Sequence, residues 1–410
     1  MDITRHLGRC SARSGIKGYP DKLKISILVS TVSASNFGRA YILAKALCPH
    51  YEVEIVGQID RSGVWLPCDT GEFVLRTTPA RRYPAFVHSA FDIVSHASGD
   101  VIYASKLLPS SYGVGLLAGL IRRVPVVLDI DDWELGIRQT CTGSKKRYFP
   151  GVRNPDAYSY IALTEHLVGL ADEVTTVSDF LAQRFGRGVK VPHGRDVHWL
   201  DPDRYDRVAL RQQWGFGNER IIVWLGTASP EKGIEDLARA VTLLKRADVK
   251  LLLVGGSDRD SFLPAIQQIA GDHLIQIGLR PFSELPLFIA LADLIVLPQR
   301  NTPATVGQVP AKLFDAMSMA RPVISTNISD MPQILDGCGV IVEPGNVEQI
   351  AQAMAGLLED EAWAAELGRR AREKCIREYS LEAMEKTLQA VFNRYAPGRR
   401  TSSMDTRVKA

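Results

Sequence analysis

Cysteine is scarce: six residues in 410, at Cys10, Cys48, Cys68, Cys141, Cys338 and Cys375. None forms a C-x-x-C pair, which excludes a zinc ribbon and argues against a disulfide scaffold; reduced thiols are the expectation. Long apolar runs are missing too, and without about 18 consecutive apolar residues no membrane span is expected. The N-terminal stretch MDITRHLGRCSARSGIKG is basic but has no apolar segment of signal-peptide type. A strong charge of either sign is also absent. A net +3 argues against nucleic acid as a partner. It leaves open a peripheral contact of Arg5, Arg9, Arg13 and Lys17 with anionic membrane, at the inner face of a cytoplasmic location. No short-period repeat is visible.

What is there is an ordinary globular composition, 46% apolar and 23% charged, in a chain too long for one core. Strand-like runs lie at 24–30, 51–57, 100–105, 124–130 and 173–178, and several are continuously apolar, as strands covered on both faces are. Helical patterns at 38–47 and 112–123 lie between them. The stretch 134–156, rich in Gly, Pro and basic residues, reads as a mobile loop. Pro192, Gly194 and Pro202 break the pattern near 189–205. Alternation restarts with strands at 220–226, 249–255, 274–278, 293–298, 322–326 and 339–343, and three helical stretches close the chain. The expected fold is α/β: two doubly wound, Rossmann-like parallel-sheet domains facing one another across a cleft. The expected boundaries are a loose terminus at 1–22, domains at 23–190 and 191–375, a helix crossing back at 376–396, and a tail at 397–410.

The densest signal is RIIVWLGTASPEKGIEDL (220–237) together with VPAKLFDAMSMARPVIST (309–326). Glycines, a lysine and a carboxylate there follow the C-terminal ends of strands, where open α/β sheets bind ligands. An ammonium beside helix N-termini suits a diphosphate, and a carboxylate suits sugar hydroxyls. The segment LDIDDWE (128–134) adds Asp129, Asp131, Asp132 and Glu134 at another strand end.

Taken in order, VPHGRD (191–196), WLGTASPEKG (224–233), LLLVGG (251–256), ADLIVLP (292–298), KLFDAMSMARPVI (312–324) and GVIVEPGNVEQIAQAM (339–354) resemble the retaining GT-B glycosyltransferases of the group often called family 4. The resemblance covers 24–395. It implies transfer of a sugar from a UDP- or GDP-sugar to a saccharide or lipid-linked acceptor with retention of configuration. An envelope polysaccharide or glycoconjugate is the expected product, with no cofactor and no bound metal. It implies that Lys232 contacts the donor diphosphate and Asp315 the ribose. Gly226, Thr227, Gly255, Arg280, Val309 and Lys312 complete the donor site. Asp131 falls where relatives carry a histidine near the transferred sugar, and joins Lys232 as a catalytic candidate. The acceptor side is Gly38, Asp129, Asp132, Trp133 and Glu134, with the indole stacking on a sugar ring. Oligomeric state is not legible.

Two departures stand out. Thr227 replaces the usual arginine, with Lys312 as the substitute cation, and the first glutamate of the family would fall at Gly307. They support a rival in which the protein only binds a nucleotide sugar or partners a catalytic subunit. Asp129 and Asp131 also suggest the D-x-D of haloacid-dehalogenase-type phosphatases, and a nucleotide-sugar epimerase shares the architecture. Each residue keeps an ordinary alternative: a solvated turn for Lys232, a helix start for Lys312, a helix N-terminal acid for Asp315, turn caps for Asp129 and Asp132.

Overall fold

The computed structural model describes residues 22–68, 71–142, 151–226, 229–255 and 262–396. Two sheets account for the strands. The first contains β1 (Lys24–Thr31), β2 (Glu52–Ile59), β3 (Val74–Pro79), β4 (Val101–Ser105), β5 (Val126–Ile130), β6 (Glu173–Thr176) and β7 (Val189–Lys190), in the order β3-β2-β1-β4-β5-β6-β7. The second contains β8 (Arg220–Leu225), β9 (Val249–Val254), β10 (Leu274–Ile277), β11 (Leu294–Leu297), β12 (Val323–Thr326) and β13 (Val340–Val342), in the order β10-β9-β8-β11-β12-β13.

Every pairing in the second sheet is parallel, as are β1–β2, β2–β3, β1–β4 and β4–β5 in the first. Parallel neighbours need crossovers, and helices supply them. Both sheets have the doubly wound order with one reversal, between β1 and β4 and between β8 and β11. The apolar runs explain the strands: alternate residues of β8 serve opposite faces. Val223 and Leu225 enter one core cluster, Ile222 and Trp224 the other.

Two strands are additions to the sequence reading. β3 is an edge strand with mostly exposed side chains, and β7 is two residues long. Neither carries a continuous apolar run. A third difference is Glu134–Thr142, which is a helix rather than a mobile loop. It is held by close packing: a Cβ on Gly136 would lie 2.2 Å from the Pro303 carbonyl oxygen. The Thr140 hydroxyl also accepts the Ala304 N–H at 3.1 Å.

The chain divides into two compact units. Unit 1 is Met1–Ile130, Tyr148–Thr175 and Glu385–Ala410; unit 2 is Asp131–Arg147 and Thr176–Met384. The final helix, Leu381–Phe392, passes from one to the other, and Phe392 packs edge-on against Tyr103 within unit 1. No helix among the described residues is long and apolar enough to cross a membrane. Cys338 and Cys375 are buried free thiols, whereas Cys48 takes part in a disulfide, which corrects the expectation for that residue.

Candidate functional site

The reversal point of the second sheet lies between β8 and β11, and both strands end there on the same rim. β8 exits through Gly226 (φ +110°), and neighbouring β9 exits through Gly255 (φ +113°). A Cβ on Gly255 would lie 2.3 Å from the Gly226 carbonyl oxygen, so the two backbones meet where no side chain fits. The loop from β8 ends in the short turn Pro230–Lys232 and Gly233, which starts the helix Ile234–Leu243. Gly233 (φ +71°) faces the exit of β11, and a Cβ there would lie 1.7 Å from the Pro298 carbonyl oxygen. The Arg300 N–H donates to Glu231 O at 2.9 Å. The Arg300 guanidinium forks onto Asp236 in the first turn of that helix, at 2.7 and 2.6 Å. The strap 298–300 and the lysine turn are thereby clamped together.

Two cations converge on this rim. Lys312 lies in the first turn of the helix Ala311–Ser318. Its ammonium sits 3.8 Å from the Trp224 ring centroid, a cation–π contact. It also lies 3.3 Å from where a Cβ on Gly226 would be. Burial, then the like charge of Lys232, push the Lys312 ammonium well below the ordinary lysine value; Asp315 pulls the other way. Burial also lowers Lys232, against the opposing pull of Glu231 and Asp132. The Asp315 carboxylate, 4% exposed, accepts from Arg195 Nε, and Arg195 Nη1 donates to Gly194 O at 2.7 Å. Burial raises the Asp315 carboxyl, and Arg195 offsets part of that rise.

Carboxylates face the lysines from the segment after β5. Asp131, Asp132 and Glu134 have oxygen atoms all within 4.8 Å of one another, a donor set that suits a divalent cation. Asp132 Oδ1 accepts from Gln308 Nε2 at 2.8 Å, and Gln308 Oε1 accepts from Gln299 Nε2 at 2.9 Å.

Comparison with known proteins bears on the family of this region. Residues 219–360 match the family model described as glycosyl transferases group 1. Residues 219–360, within unit 2, are thus similar to the group 1 glycosyltransferases. A GDP-mannose-dependent α-(1-6)-phosphatidylinositol monomannoside mannosyltransferase of Mycolicibacterium smegmatis is 31% identical over 216 residues, 48% of this chain and 56% of that protein. The α-D-kanosaminyltransferase of Streptomyces kanamyceticus is 25% identical over 246 residues, 55% of this chain and 61% of that protein. The chain thus spans little more than half the length of the relatives it matches. Alr3699/HepE of Anabaena, solved with UDP and glucose, superposes with a TM-score of 0.73 at 17% identity, over 90% of this chain and 99% of that one. The fold is that of the GT-B glycosyltransferases.

Within unit 2 the structure brings Gly226, Lys232, Gly255 and Lys312 to the β8–β11 rim, with Asp132 near enough to act on Lys232 and Asp131 beside Asp132. Arg280 follows β10, is exposed, and pairs with Glu284 at 3.8 Å. Thr227 lies outside the described residues. Glu134 opens the helix Glu134–Thr142 and is 8% exposed.

Other expectations are corrected. Asp129 cannot hold an acceptor or act as a phosphatase nucleophile, because it is wholly buried in unit 1. Its oxygens receive Arg39 Nε at 2.9 Å, Arg39 Nη2 at 2.8 Å and the Thr175 hydroxyl at 2.7 Å. Gly38 lies in unit 1, the N-terminal part of the chain where it was expected, against the Trp65 ring. Trp133, partly buried, already stacks on a cation rather than standing clear for a sugar: the Arg184 guanidinium lies 3.8 Å from its ring centroid, and a Cβ on Gly136 would come within 2.4 Å of its ring. Val309 is 2% exposed and belongs to the apolar core. The Val306 and Gln308 N–H groups donate to Thr302 O at 3.0 Å and Thr305 O at 2.9 Å.

The glycine in place of the first glutamate has a packing reason. A Cβ at Gly307 would lie 2.8 Å from the Phe180 ring, so a longer side chain has no room. Sequence reasoning missed Arg195 as the partner of Asp315, Arg300 as the clamp, and Gln299 with Gln308. Arg195 stood in VPHGRD and read as a hinge residue. Glutamines in a polar loop carry no motif.

Proposed function

We propose that this protein is a glycosyltransferase that moves a sugar from a GDP- or UDP-sugar to a hydroxyl of a saccharide or lipid-linked acceptor, with retention at the anomeric carbon. The observation that carries the reading is the convergence of Lys232 and Lys312 at the β8–β11 reversal point. Each is pushed toward the neutral form by burial, and Lys312 also by its neighbour. A diphosphate relieves both strains, because its charge favours the ammonium form of each lysine against the cost of burial. Such a site serves the transition state more than the ground state. As the sugar–phosphate bond breaks, negative charge accumulates on the departing nucleoside diphosphate, and fixed cations stabilise it there.

The acceptor oxygen forms the new bond to the anomeric carbon, and Asp131 takes its proton. The base lies over Gly255 and Arg280. Asp315 holds Arg195 and the first turn of the Lys312 helix in place. Similarity to the group 1 glycosyltransferases supports this chemistry, as do the names of the relatives. With two ammonium ions serving the diphosphate, turnover needs no divalent metal.

The test is release of GDP or UDP from GDP-mannose and UDP-glucose, and from a wider panel of such donors, with and without EDTA. Release that survives EDTA bears out the reading. Release abolished by EDTA and restored by magnesium assigns the Asp131–Asp132–Glu134 set to a metal. A melting-temperature rise with no release indicates a binding protein, and neither response to any donor overturns the proposal.

A further inference from the structure

Gln299 follows β11 directly on the rim that holds Lys232, and it is 4% exposed. Its neighbours pin it against the lysine turn: Pro298 abuts Gly233, and the Arg300 N–H binds Glu231 O. Its own carbonyl oxygen accepts the Thr326 hydroxyl at 2.8 Å. Its side-chain Oε1 is buried with no hydrogen-bond partner. A buried acceptor left in that state is costly and calls for a donor.

The direction of the amide is set by chemistry. Ionised Asp132 can only accept, so Gln308 must turn its NH2 toward Asp132 Oδ1. The Gln308 carbonyl then faces Gln299, which must present its own NH2 there. Oε1 of Gln299 is consequently the acceptor left over at the end of the relay. A flipped amide would place two NH2 groups or two carbonyls face to face.

We infer that Gln299 reads the transferred sugar: its Oε1 accepts a hydroxyl of the donor saccharide, and Asp132 and Gln308 hold it in that sense. The inference rests on the glycosyl-donor reading above. It explains how a chain with no room for a glutamate at position 307 still offers a fixed acceptor beside the diphosphate. Gln299 is a specificity-determining residue, and Gln308 is a positioning one.

Calorimetric titration of the full chain with GDP, UDP, GDP-mannose and UDP-glucose tests it, for wild type and Gln299→Leu. The expected result is selective. For the nucleotide that binds, the variant keeps the affinity for the free diphosphate within about twofold and loses about tenfold for the diphosphate sugar, one buried hydrogen bond. Equal weakening of both, or of neither, overturns the inference and leaves the donor reading standing. Failure of wild type to bind any of the four brings down both. Should Gln299→Leu not fold, wild type is titrated with the monodeoxy analogues of the donor that binds. One analogue binding about tenfold weaker supports the inference, and equal binding across the series overturns it.

Discussion

The two sheets treat their charged groups in opposite ways. At the end of β5 in the first sheet, Asp129 is enclosed with Arg39, Thr175 and Tyr103, and the guanidinium answers the carboxylate through two hydrogen bonds. At the rim of the second sheet, burial lowers both Lys232 and Lys312, Lys232 lowers Lys312 further, and a buried glutamine oxygen is left over. Both places lie near the C-terminal ends of parallel strands, so position in the sheet does not separate them. Closure does: the first cluster pairs its carboxylate with a guanidinium inside the core, whereas the second sets two burial-lowered lysines at a sheet rim, and ammonium groups perturbed in that way mark a candidate ligand site.

Three experiments would break or sharpen this contrast. The largest effect is expected from Arg39→Met, which strands the buried Asp129 carboxylate. Unfolding free energy in urea should fall by about 3–5 kcal/mol. A loss under about 1 kcal/mol would mean that the first cluster is not closed as described. Next comes Lys232→Ala. It should lower kcat for nucleoside diphosphate release by about 10²–10³-fold, with the melting temperature unchanged or higher. A comparable loss of stability instead would make Lys232 structural.

The smallest effect is a pH dependence. Lys312 binds its proton more weakly folded than unfolded, so the unfolded chain holds more protons at alkaline pH. The ligand-free protein should therefore gain stability as pH climbs from the lowered Lys312 value toward the ordinary lysine range. Lys312→Met should reduce that gain. Over the same window, diphosphate affinity in wild type should fall as the ammonium is lost. A flat profile in both measurements would remove Lys312 from the site.

Much of the fold was legible because buried parallel strands must be continuously apolar. Runs such as KISILVS and RIIVWLG allow few other placements. β3 escaped because an edge strand with exposed side chains carries no such run. The helix Glu134–Thr142 escaped because its stability comes from packing on 303–304, which composition does not announce. In the site, Lys232 and Lys312 were legible from a glycine-framed loop and a helix start. Asp129 was misjudged because its partner, Arg39, lies 90 positions away. Asp129 and Asp131 look alike in LDIDDWE, yet one is enclosed in unit 1 and the other stands with Asp132 and Glu134.

The amino-acid order alone determined the doubly wound sheets and the glycine-framed rim that carries Lys232, since periodicity and glycine placement are local properties of a chain. Tertiary structure alone decided which carboxylate is enclosed with a guanidinium, that Gly307 packs against the Phe180 ring, and that Gln299 ends a relay with an acceptor to spare. Those outcomes depend on contacts between residues far apart in the chain, and charge balance and steric room exist only once the chain has folded.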